Sequence, residues 1–196
     1  YPFDVYNVVA IPDFQYGGME HPGAVYYRAS TMFLDRNADL AAWMKRSDVI
    51  AHETAHMWFG DYVTMKWFDD VWTKEVFANY FASRIVEPLY PDVNHRLNFI
   101  RDYIPASYSE DRTSGANPIK QDLDNLRNAG LVYGNIIYDK SPVVMEMLVR
   151  VLGEDAFQQG IREYLTTYAY GNATWEGLIR ILNKYTEEDL AAWSEV

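Results

Sequence analysis

The sequence predicts an α+β fold, with a small N-terminal sheet followed by a mainly helical second half. Three observations predict it. The strand candidates all fall within the first 68 residues, at 3–11, 24–34 and 62–68, and are rich in the β-branched and aromatic residues that suit a pleated surface. Helix caps and stops punctuate the remainder. The composition, 49% hydrophobic and 16% aromatic over 196 residues, is that of a globular chain with a substantial core. Strands first and helices afterwards is the order of an α+β architecture.

The elements follow in turn. Between 3–11 and 24–34 lies QYGGMEHPG, carrying Gly17, Gly18, Pro22 and Gly23, so this region reads as strand, glycine-rich turn, strand. The segment YVTMKWF at 62–68 alternates apolar and polar residues as a third strand. Ser47 and Asp48 are plausible caps for a helix running through Phe59 and closed by Gly60. Asp69 or Asp70 would cap the next, which runs to about Val86 before Pro88, and 93–104 gives a third. The stretch 109–130 is polar and irregular. Ser141-Pro142 resembles an N-cap and first helical position, with Gly153 ending that helix. Residues 155–168, 174–185 and 187–195 complete the helices. We expect one domain over 1–196, with a sheet and metal-helix part at about 1–110 and a helical lobe at about 130–196.

Several functions are excluded. A formal net charge of -11 opposes binding to phosphate backbones, so no nucleic-acid partner is expected. It favours cationic ligands at long range. With no cysteine there is no disulfide, thiolate metal site or cysteine nucleophile. No apolar run approaches the roughly 20 residues of a membrane span. The opening YPFDVYNVVAIPDF has neither initiator Met nor a signal-peptide pattern. The chain therefore reads as an internal piece of a longer protein, and its compartment is left unassigned.

The chemistry is concentrated in VIAHETAHMWFG, which holds His52, Glu53 and His56. Positions i and i+4 share a helix face, so two imidazoles can reach one ion at about 2.0–2.1 Å. Glu53 is offset and can serve as a general base. A catalytic zinc site needs a third protein ligand and an open position. Glu75, after 18 intervening residues and on the next helix, supplies it. Two neutral imidazoles and one carboxylate leave the ion about +1, enough to bring bound water toward a pKa of about 7. The alternative is a pair of ordinary histidines on a packed helix. The well-spaced Glu75 weighs against it, as does finding two of only four histidines in the motif.

HETAHMWFGDYVTMKWFDDVWTKEVFA resembles the zinc signature of the aminopeptidase N family, a branch of the gluzincins. GGMEH at 17–21 resembles that family's exopeptidase motif, YGNIIYDKSPVVMEML the segment of its catalytic tyrosine, and YGNATWEGLIRIL its later helices. The resemblance implies a thermolysin-like catalytic domain, flanking domains of the same protein, and peptide substrates with a free N-terminus. It implies that His52, His56 and Glu75 bind one Zn2+ and that Glu53 deprotonates water and returns the proton to the leaving amine. Glu20 would bind the substrate α-amino group and Tyr138 would donate to the oxyanion. Gly17, Gly18 and Met19 would lie along the substrate. Gln15 and Tyr16 are candidates for the first side-chain pocket.

Bland readings stand beside these. Tyr138 is one of 16 tyrosines and could be core. Glu20 could be a solvated turn residue, Gly17-Gly18 a hairpin turn, and His21 a turn histidine. His95 is expected to have a surface role.

Four positions depart from the family pattern. His21 replaces Asn; Lys74 and Val76, flanking Glu75, replace Asn and Gly; Ala82 stands where an acid is frequent; and Ser141-Pro142 replaces a glycine-containing step. Lys74, if turned inward, would bring positive charge to the metal ligands. These changes bear on substrate preference more than on the reaction. Two other functions remain open: a zinc hydrolase of another substrate, of epoxide hydrolase or endopeptidase type, and a non-catalytic peptide-binding relative. Weak or no activity is expected of the isolated segment.

Overall fold

A computed structural model describes residues 1–195; Val196, the end of the expected helical lobe, lies outside the described residues. The N-terminal sheet has three strands, β1 (Asn7–Ile11), β2 (Gly18–Met19) and β3 (Ala24–Arg28), in the order β1-β3-β2. β1 runs parallel to β3 and β2 antiparallel to it. The two long strands are therefore not a hairpin. The glycine-rich stretch carries an edge strand of its own, the short strand that sequence reading took as turn. A brief helix α1 (Ala29–Met32) replaces the end of the expected second strand.

Alternation along β3 fixes which face is buried. Val25 and Tyr27 are buried and pack with Met57. Tyr6 lies 2.9 Å from the Tyr27 hydroxyl and 2.8 Å from Thr54 Oγ1, so a polar chain ties the sheet to the helix beneath.

That helix, α2 (Leu40–His56), begins well before the expected caps: the Asp39 carboxylate accepts from Ala42 N at 2.8 Å. Ser47 and Asp48 lie inside it, where the Ser47 hydroxyl meets Tyr90 OH at 2.8 Å. The helix stops at His56, three residues before Phe59, and the chain turns at Gly60, whose φ is +137. β4 (Val63–Met65) follows, shorter than expected. After a 3-10 turn at Phe68–Asp70 comes α3 (Val71–Val86), with α4 (His95–Asp111) beyond it. Asp70 precedes α3 as expected, but its side chain makes no capping bond there. α4 passes through Pro105, where sequence reading ended it.

The second half contains α5 (Ala129–Val132), α6 (Ser141–Leu152), α7 (Glu154–Thr167), β5 (Gly171–Ala173), α8 (Trp175–Leu182) and α9 (Leu190–Ser194). Ser141 is not an N-cap, because a π turn at Ile136–Lys140 leads straight into α6. Pro142 has no N–H for the Tyr138 carbonyl four residues back, which favours the wider turn. β5 was missed by sequence reading. It pairs parallel with β4, Val63 opposite Gly171 and Met65 opposite Ala173, and so ties the two halves of the chain.

The largest core joins α3, α6, α7 and α8 through Val76, Phe77, Leu148, Phe157, Leu178 and Leu182. Asp70 clamps its rim: one carboxylate oxygen accepts from Trp175 N at 3.2 Å and the other lies 3.4 Å from Lys120 Nζ. Replacing Asp70 by Ala leaves that buried N–H without a partner. We expect Asp70→Ala to lose about 1–3 kcal/mol, read as a lower urea midpoint at constant slope. An unchanged midpoint would show that the clamp adds nothing net.

Candidate metal centre

The centre forms where α2 and α3 pack together. Ala51 of α2 meets Ala82 and Val86 of α3 in a buried cluster, and such small residues allow helix axes to approach closely. One turn along from Ala51, His56 is buried, and Glu75 faces it from α3. His52 Nε2 and His56 Nε2 are 3.1 Å apart, and Glu75 Oε2 lies 3.6 and 3.5 Å from them. A tetrahedral ion bound at about 2.0–2.1 Å would hold its ligand atoms roughly 3.3 Å apart, so the three residues fit zinc. The Phe59 carbonyl, 2.9 Å from His56 Nδ1, accepts that N–H and leaves Nε2 free as a donor to metal.

Glu53 is buried on the same helix, and its carboxylate, Glu20 and His56 place ligand atoms within 4.8 Å of one another. Burial pushes Glu53 up to about 7; His52 opposes this, while Glu20 and Glu75 add to it. Burial also drives Glu75 upward, but the bonds from His52 and His56 and the charge of Lys74 outweigh it and hold the carboxyl far below its usual range.

The structure brings most of the expected residues together. Gly18 lies directly over Glu53: a side-chain carbon there would collide with the Glu53 carboxylate. Gly17 has ordinary room against Val49. Arg28 fixes the loop before them, donating to the carbonyls of Phe14 at 2.9 Å and Tyr16 at 3.1 Å. Gln15 and Tyr16 themselves are exposed, as is His21, which sets its ring edge-on to Tyr26. Tyr138 sits in the π turn, partly exposed; burial, then Glu75 and Tyr133, push its hydroxyl upward. His95 begins α4, with Nε2 2.8 Å from the Tyr90 carbonyl and away from the centre.

Lys74 does point inward. Its Nζ is 2.5 Å from Glu20 Oε1 and 3.2 Å from Glu75 Oε1. Val76 is core, and Ala82 belongs to the apolar seam. A different carboxylate stands near His52. Asp48, one turn earlier on α2, is exposed to solvent; partial desolvation by the surrounding protein still pushes its carboxyl up, and His52 opposes. Asp61 was not singled out from sequence. Its Oδ2 is buried without a hydrogen-bond partner, and burial, reinforced by Glu20, pushes it to about 7. Only its place just after the Gly60 turn could have signalled it.

Two histidines and a carboxylate on paired helices, with a further carboxylate beside them, form the donor set of metal-dependent hydrolases. The chain belongs to peptidase family M1: the family's domain profile matches residues 1–195. It is 34% identical over 200 residues to the puromycin-sensitive aminopeptidase of Caenorhabditis elegans, covering 100% of this chain and 21% of that protein. It is 34% identical to aminopeptidase N of Streptomyces lividans, covering 100% and 23%. It is 32% identical to a probable aminopeptidase 2 of Sulfurisphaera tokodaii, covering 95% and 24%. The chain thus spans between a fifth and a quarter of the length of these relatives. Among the described residues, no helix is long and apolar enough to cross a membrane.

The Gly18 contact is directly testable. Gly18→Ala must push the Glu53 carboxylate aside, and a displacement of about 1 Å at a reacting group can cost about 10²-fold in rate. We expect such a loss with the thermal midpoint nearly unchanged, because the arm that moves is a side chain. Full turnover in the variant would mean that Glu53 need not sit where it does.

Proposed function

We propose that this chain is the catalytic core of a zinc-dependent aminopeptidase. It is read as one thermolysin-like unit, about 1–110 carrying sheet and metal helices and about 130–196 the helical lobe, and as acting with flanking domains of the same protein. The observation that carries the proposal is the convergence of His52, His56 and Glu75 beside Glu53 and Glu20. The aminopeptidase names of relatives matched along nearly the whole chain support it.

His52, His56 and Glu75 would hold the zinc ion, which would supply Lewis acidity toward the scissile carbonyl and water. Glu53 takes a proton from the attacking water and returns it to the departing amine. Glu20 pairs with the substrate α-ammonium, so cleavage is confined to chain ends. β2 is an edge strand, and its free side, at Gly18 and Met19, can accept an extended peptide as an added strand. Tyr138 donates its O–H to the developing oxyanion, a neutral phenol kept protonated by its surroundings.

A second reading is favoured by one observation, the engagement of Glu20 by Lys74. A hydrolase that does not require a free amine could tolerate that pairing. N-acetylated peptides separate the two: cleavage as fast as that of free-amine peptides would reject Glu20 as the anchor.

Two outcomes test the proposal. Glu53→Gln in the intact protein should retain stoichiometric zinc by elemental analysis while abolishing hydrolysis of aminoacyl amides; undiminished turnover rejects the assignment. Tyr138→Phe should lower kcat by about 10²–10³-fold, the usual cost of a lost oxyanion donor, with KM little changed.

A further inference from the structure

Lys74 is a charged group of the centre to which the proposed reaction gives no task. Its Nζ bridges Glu20 Oε1 at 2.5 Å and Glu75 Oε1 at 3.2 Å. The pair is sheltered: the Lys74 and Glu20 side chains are 14% and 12% exposed. The stem of Lys74 passes beside the Gly60 turn, where a side-chain carbon would lie within contact distance of Lys74 Cδ.

We propose that Lys74 is a specificity-determining residue whose ammonium occupies the place on Glu20 that a substrate α-ammonium would take. The inference rests on reading Glu20 as the amine-binding carboxylate. A primary ammonium is the same donor whether it ends a lysine stem or begins a peptide, so the two compete for one acceptor. The internal one is tethered, with an effective concentration on the order of millimolar or more. An incoming amine must therefore displace Lys74, or bind the remaining Glu20 oxygen against like-charge repulsion. Either route weakens anchoring by the amine and shifts discrimination toward the N-terminal side chain.

The test compares intact, zinc-loaded wild-type protein with Lys74→Met, Lys74→Asn and Glu20→Gln. Calorimetry measures the binding of 3-methylbutylamine and of its neutral isostere 3-methylbutan-1-ol. Removing Lys74 should tighten amine binding about tenfold, leave the alcohol unaffected, and lower KM for leucyl amides by a larger factor than it changes kcat. Lys74→Asn, smaller and still able to hydrogen-bond, covers the case in which the methionine variant folds poorly. If amine affinity depends on Glu20 but is not raised in either Lys74 variant, this inference alone is overturned. If Glu20→Gln binds the amine as well as wild type, the anchoring role of Glu20 falls and the inference falls with it.

Discussion

Everything at the site depends on the close approach of α2 and α3. Charged groups buried there are tolerable only because they face each other, since an isolated buried carboxylate or ammonium costs several kcal/mol. The seam of Ala51, Ala82 and Val86 allows that approach. The consequence is that Glu75 Oε2 faces both imidazoles while Oε1 faces Lys74. A larger residue in the seam would separate the helices and leave several charges unpaired at once. Packing and chemistry are here a single constraint.

The rest of the fold holds this pair of helices in place. The polar chain of Tyr6, Tyr27 and Thr54 seats the sheet on α2, which brings the edge strand β2 over Glu53. On the opposite side the core of α6, α7 and α8 packs against α3 through Val76 and Phe77. The pairing of β4 with β5 and the Asp70 clamp on Trp175 tie the connection between α2 and α3 to that helical half. The centre therefore lies between a sheet that presents backbone and a helical body that gives rigidity, with the partly exposed Tyr138 in the π turn nearby.

What the sequence made legible was set by local rules. The spacing His52-Glu53-His56 and the distance to Glu75 specify their own geometry, because helix periodicity is local. The strands at 7–11 and 24–28 were legible for the same reason, since their composition is strand-like. Their pairing was not. Parallel β1 and β3 depend on a strand of two residues, Gly18–Met19, too short to carry a pattern. β5, GNA, has no strand composition and exists because β4 lies beside it. The start of α2 was misplaced because Ser47 and Asp48 are good caps locally, yet Asp39 takes that role and tertiary contacts absorb the other two. Asp61 had only its place after the Gly60 turn to signal it, because what marks it is the burial of Oδ2 without a partner, which comes from tertiary packing.

The charges around the centre explain why its donor set suits a dication. Glu20, Glu53, Glu75 and Asp61 are four carboxylates within mutual electrostatic reach, with Lys74 as the ammonium among them. Burial, reinforced by Glu20, raises Glu53 and Asp61 to about 7. That is the response of buried acids that lack enough positive charge. A dication among His52, His56 and Glu75 would reverse the balance and favour the carboxylate form of Glu53, the form a base requires. Lys74 supplies part of that compensation in advance, on the Glu20 oxygen that we propose a substrate ammonium would take. On that proposal, the same ion pair that makes the acidic cluster tolerable would also set how strongly the site recognises a free amine.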